Sequence, residues 1–231
     1  MDVAEHYNSL YRDSIQRIIS DEYSTDKFID SPCDRRRGVT LLIRPSQEIK
    51  ENAEKFLTEL KQIEPKQYYQ PVTDLHVTVL SIITCYEGFE LDNICIQDYV
   101  DILQESLKSA SSIEISFRGV TASPSAIMIQ GFLGDNTLNV IRDNLRVNFK
   151  KSRLQQSIDA RYSIQTAHMT VVRFCNPLLR KTDFLKLIED YRGFDFGTHS
   201  VDAVEFVYND WYLRKEFVKP LHIFGLNTVK R

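Results

Sequence analysis

The sequence predicts an α+β fold, bilobal and duplicated, in which a strand-helix-strand-helix-strand unit occurs twice. Three observations carry that expectation. The run Leu75-His76-Val77-Thr78-Val79-Leu80 returns in the second half as Ala167-His168-Met169-Thr170-Val171-Val172. Strand-like segments at 39–42 and 113–117 are matched, at similar intervals, by segments at 126–129 and 201–205. Residues 1–37 lie outside the repeat and hold one helical pattern, which divides the chain into an N-terminal helical extension, 1–37, and a domain, 38–231, with lobes at about 38–122 and 123–226.

In order, the extension places Tyr7, Leu10, Tyr11, Ile15, Ile18 and Ile19 at spacings of about three and four, an appended helix that packs on the core, with covering the cleft as its alternative role. Its tail, Asp34-Arg35-Arg36-Arg37-Gly38, is either a solvated turn or a phosphate contact. A strand is expected at 39–44 and a helix at 46–63, opened by Ser46 with an acidic first turn and closed by Pro65. After the first His-x-Thr strand come a helix at 96–110 and strands at 113–120 and 126–132, joined by the Ser123-Pro124-Ser125 turn. The second half continues with a helix at 138–151, the second His-x-Thr strand, a short helix at 184–191, and strands at 201–208 and 221–226.

Composition narrows the function. With 231 residues, 42% hydrophobic and 26% charged, the chain reads as an ordinary globular protein. A formal net charge of −3 argues against a partner such as duplex DNA, whose coating needs a strongly basic surface. A small anionic ligand needs only a local basic pocket. No apolar run approaches the roughly 20 residues that span a bilayer, and Met1-Asp2-Val3-Ala4-Glu5-His6 lacks the form of a signal peptide, so no membrane partner and a cytoplasmic location are expected. Cys33, Cys85, Cys95 and Cys175 form no C-x-x-C pair, which points to reduced, mostly buried thiols.

Successive side chains of a strand point to opposite faces, so His76 and Thr78 share a face, as do His168 and Thr170. A pseudo-twofold axis would bring one such pair from each lobe to a common cleft. Two imidazoles and two hydroxyls around one ligand suit acid-base chemistry at a phosphodiester. With an ordinary pKa near 6.5, one imidazole can be neutral while its neighbour is protonated. Two histidines with no third ligand nearby do not make a metal site. A lone histidine on a strand is usually structural; a matched pair with matched threonines is not.

These two motifs, His76-x-Thr78 and His168-x-Thr170, each inside an apolar strand and at the same point of an internal repeat, give a chain that resembles the 2H phosphoesterase superfamily over about 38–226. The resemblance implies two concave antiparallel sheets facing a central cleft with helices outside. It implies a site that works without metal or cofactor on 2′,3′-cyclic phosphates, other cyclic phosphodiesters or 2′-5′ linkages, with a nucleotide or RNA end as substrate. By position the catalytic set is His76, Thr78, His168 and Thr170. The alternative is a module that binds cyclic or 2′-5′-linked nucleotides without cleaving them.

Supporting residues are expected near the strand end at 208–214, where Trp211 or Tyr212 would stack on a base and Arg214 would meet a phosphate. Tyr68, Tyr69, Arg118 and Tyr162 are lesser candidates. Arg173, at odd offset from Thr170, should face away from the site, and the basic stretch 142–161 is either a solvated face or a guide for an anionic strand. His6, His199 and His222 lack a companion hydroxyl and read as structural.

Overall fold

A computed structural model describes residues 2–227. Helix α1 (Val3–Ile19) is followed by β1 (Arg36–Ile43), α2 (Gln47–Ile63), a short β2 (Tyr68–Tyr69), β3 (Val77–Glu87), α3 (Ile96–Leu107) and β4 (Ile113–Ser123). The chain continues through β5 (Ala126–Leu133), α4 (Thr137–Lys151), β6 (Met169–Arg173), α5 (Lys181–Asp190), β7 (Asp195–Val201), β8 (Ala203–Asp210) and β9 (Lys219–Gly225). The α+β class read from the sequence is the one observed. Strands β2 and β7 were not foreseen: β2 is two residues long, and β7, Asp-Phe-Gly-Thr-His-Ser-Val, is polar at every second position with a glycine inside it.

Two antiparallel sheets have the orders β3-β1-β8-β9 and β2-β6-β5-β4-β7. The repeat survives in them, since β3, β1 and β8 stand in the same order as their counterparts β6, β5 and β4. The halves of the chain nevertheless interweave. The tight turn from Ser123 to Ala126 makes β4 and β5 antiparallel neighbours, which carries a first-half strand into the second sheet. Reciprocally, β8 pairs with β1. The line near residue 122 expected from the repeat therefore cuts through a hairpin.

One apolar core joins both sheets and the helices, from Leu41, Val77 and Val79 to Met169, Val171 and Phe206. Helix α2 buries Ile49, Ala53, Phe56, Leu57 and Leu60 along one stripe against β7, and its Ser46 N-cap makes no side-chain capping bond. Helix α1 lies on β4, held by Thr121 Oγ1 donating to the Tyr7 carbonyl (3.1 Å) and Ser14 Oγ to that of Ala122 (3.0 Å), with Tyr7 and Ile18 fully buried. It is part of the core. All four cysteines are free thiols, but Cys33 and Cys95 are exposed rather than buried.

Candidate functional site

Both motif histidines stand at strand entrances, His76 just before β3 and His168 just before β6. The strands belong to different sheets, and a cavity of about 780 Å³ opens between them. His76, Thr78, His168 and Thr170 all line it. The walls are tied together by Arg142 of α4, which is 1% exposed and donates to the carbonyls of Val79 (2.9 Å), Thr78 (3.0 Å) and Thr166 (2.9 Å). Arg142 is thus neither a solvated residue nor a guide for anions; it bonds the first motif to the segment that enters the second.

The two imidazoles are anchored differently. His76 Nδ1–H donates to the Asp74 carbonyl at 2.8 Å, and since a carbonyl only accepts, Nε2 is left with its lone pair. His168 Nδ1 lies 2.7 Å from the hydroxyl of Thr166, a group that can donate or accept. Burial pushes both histidines down to about 4, helped by the charges of Arg44 and Arg173 at His76 and of Arg142 and Arg173 at His168. Both rings are therefore neutral at neutral pH, in place of the expected neutral and protonated pair.

Arg173 also lines the cavity, contrary to its sequence parity. The cause is a β-bulge: Ile127 pairs with Val172 but Met128 with Thr170, so β6 carries one extra residue, Val171. Past the bulge the alternation is reversed, and Arg173 joins the face of Thr170. Its Nε–H is buried with no acceptor among the described residues. A legible trace of this was the doubled apolar pair Val171-Val172, both fully buried.

Trp211 lines the cavity, with Arg161 over its ring at 4.3 Å and Arg36 at 4.7 Å. Tyr212 and Arg214 do not line it. Tyr212 is 1% exposed with its hydroxyl on the Asp26 carboxylate (3.0 Å), and Arg214 is committed to Asp210 (2.7 Å) and the Ile29 carbonyl (3.1 Å). The buried Asp210 carboxylate takes Arg214 as its partner, so the Arg214 guanidinium does not meet a phosphate as expected. Of the lesser candidates, Tyr162 lines the cavity, whereas Tyr69 bonds the Glu64 carbonyl and Arg118 stacks on Phe132. Tyr68 lies beside Tyr212, also away from it. In the basic run at the start of β1, Arg36 pairs with Asp34 at 2.8 Å and Arg37 donates to the carbonyls of Asp34 and Arg36, while Arg35 is exposed; none of the three lines the cavity.

Two further segments complete the lining. Helix α1 contributes His6, Tyr7 and Leu10, so His6 is not remote from the site. The long connection 152–168 contributes Asp159, Arg161 and Thr166, and it is docked by Ser157, which accepts from Thr84 N (2.7 Å), and by Arg146, which grips Asp159 (2.6 Å). With Asp159 so engaged, the unpaired charge facing the cavity is positive.

No family model matches the chain, and no curated protein matches it in sequence. Solved structures do. TT0787 of Thermus thermophilus aligns with a TM-score of 0.62 at 14% identity, over 83% of this chain and 98% of that one. E. coli LigT complexed with 3′-AMP gives 0.55 at 11% identity, over 83% and 99%. A conserved protein of unknown function from Agrobacterium tumefaciens, ATU0111, gives 0.58 at 13% identity, over 92% and 97%. LigT has also been crystallised with ATP, phosphate and NADP+. The chain thus has the fold of E. coli LigT, with both His-x-Thr segments opening onto the cavity between its sheets.

Proposed function

We propose that the protein is a metal-independent phosphodiesterase of the 2H type, hydrolysing a cyclic phosphodiester, such as a 2′,3′-cyclic nucleotide or RNA end, or a 2′-5′ linkage. The observation that carries this reading is the convergence of His76, Thr78, His168 and Thr170 on one cavity. The LigT complexes with 3′-AMP and phosphate support a nucleotide as the ligand class.

In this reading the substrate phosphate sits between the imidazoles, its equatorial oxygens on the Thr78 and Thr170 hydroxyls and the Arg173 guanidinium. Its negative charge raises the pKa of the adjacent rings. His76 is the ring that takes up the proton, because the Asp74 carbonyl at its Nδ1 favours the charged ring. Neighbouring arginines disfavour a resting charge on both rings, but His168 has a hydroxyl rather than a carbonyl at its Nδ1, so it is the base. His168 takes a proton from water as the oxygen attacks phosphorus, and His76 gives its proton to the departing ribose oxygen. The hydroxyls and Arg173 hold the charge that builds on the phosphoryl oxygens.

The test is a panel of 2′,3′-cyclic nucleotides, 2′-5′ oligonucleotides and cyclic oligonucleotides, with products read by mass. One class should be hydrolysed, and His76→Ala and His168→Ala should each lower turnover by about 10²-fold or more with the circular dichroism unchanged. Full activity in either variant overturns the reading. The neutral state of both rings favours a second one, a module that binds such nucleotides without cleaving them. Ligand retained and recovered intact after prolonged incubation would select it.

A further inference from the structure

Beyond the motif residues the cavity wall includes Trp211, the chain's single tryptophan, half-buried just after β8. Two guanidinium groups lie over its ring, Arg161 at 4.3 Å and Arg36 at 4.7 Å from the centroid. They are not equivalent. Arg36 is bound to the Asp34 carboxylate through two hydrogen bonds (2.9 and 2.8 Å) and does not line the cavity. Arg161 does line it, is exposed, and has no carboxylate partner among the described residues. The side of the indole that a ligand reaches is therefore the side Arg161 covers. The backbone under Arg161 is pinned: the Ser157 amide donates to the Ile82 carbonyl (2.9 Å), the Ala160 amide closes a turn on the Ser157 carbonyl (3.1 Å), and Asp159, at a left-handed φ of 57°, is gripped by Arg146. A planar cation on a long, exposed stem thus hangs from a fixed turn over an aromatic face in the ligand cavity.

We propose that Trp211 and Arg161 form a clamp for a nucleobase, the base entering between indole and guanidinium, so that the cavity takes a phosphodiester that carries a base rather than a bare one. The inference rests on the nucleotide reading above and holds whether the cavity cleaves its ligand or only binds it. At 4.3 Å the guanidinium rests on the indole itself, so the clamp is shut, and a base opens it by moving Arg161 outward. That exchange is favourable, because a base stacked on an aromatic face outweighs an exposed cation–π contact, and the guanidinium regains a planar partner on the other face of the base. Arg36, its charge cancelled by Asp34, has no need to move. The clamp grips faces and not edges. It therefore tolerates different bases and discriminates against a ligand that has none.

As the single tryptophan, Trp211 reports on the clamp directly. Its emission should be quenched by 3′-AMP and 3′-CMP and left unchanged by inorganic phosphate and by methyl ribofuranoside 3-phosphate, which has no base. By calorimetry the base-less ester should bind about tenfold more weakly than 3′-AMP, or weaker still. Arg161 is exposed, so its variants test the clamp without threatening the fold. Arg161→Ala should change the emission of the protein alone and weaken 3′-AMP several-fold, with the affinity for inorganic phosphate nearly unchanged. Arg161→Lys should do no better than Arg161→Ala, because an ammonium keeps the charge but cannot stack. A lysine that restores wild-type affinity would make residue 161 a guide for charge and overturn the clamp. So would a base-less ester that binds as tightly as 3′-AMP, or a nucleotide that binds with the tryptophan silent. Turnover of a nucleotide without quenching fails the clamp alone, quenching by nucleotides that are never hydrolysed fails the catalytic reading alone, and both fall if no nucleotide binds.

Discussion

At the scale of single residues, the cleft holds one cation where the chain's alternation says it should not be. Arg173 reaches the Thr170 face only because Val171 is an extra residue in β6, and its buried Nε–H has no acceptor among the described residues. If that donor meets a phosphoryl oxygen, Arg173→Ala should lower kcat by about 10²-fold with a smaller change in KM, as removal of one oxyanion donor does elsewhere. Steady-state kinetics on the substrate found by the panel checks this. The histidines and threonines were legible because their type and spacing recur; Arg173 was not, because a bulge is a property of two paired strands and one strand's sequence shows only its trace in Val171-Val172. Tyr212 and Arg214 misled for a related reason. Their types suit a nucleotide, but Asp26 and Asp210, distant or unremarkable in the sequence, engage them first.

At the scale of elements, α4 and the connection that follows it bind the two walls together. Arg142 satisfies three carbonyls, two on β3 and one at Thr166, so Arg142→Met would leave buried acceptors without donors at a cost of about 1–3 kcal/mol each. Urea unfolding should show a loss of several kcal/mol, and an unchanged midpoint would deny the tie. Arg146, one turn further along α4, holds 152–168 through Asp159, Ser163 Oγ (3.1 Å) and the Ile164 carbonyl (3.2 Å). Arg146→Ala should therefore raise KM and speed proteolysis within 152–168, with little change in the folded core. Periodicity found these helices, since their apolar stripes repeat every three or four residues. It could not say which arginine of 142–161 turns inward, because an arginine and its carbonyl partners leave no hydrophobic pattern.

At the scale of the molecule, each sheet is completed by strands from the other half of the chain, so the walls of the cleft and the core beneath them fold as one cooperative unit. Protonation of the site should therefore be felt as global stability. Both site histidines are pushed down to about 4 in the fold, whereas the unfolded chain takes up their protons near pH 6.5. The unfolded state thus binds more protons than the folded one throughout that interval, and stability rises with pH across it. The contribution is complete above about pH 6.5 and is lost as pH falls toward 4. The midpoint of urea unfolding should decline over that window in the wild type. In a His76→Asn, His168→Asn double variant the decline should flatten, because an amide takes up no proton in either state, and an equally steep decline would mean that other groups carry the acid sensitivity. Saturating inorganic phosphate should oppose the same decline if the anion binds between the rings, since it stabilises the protonated imidazoles only in the folded cleft.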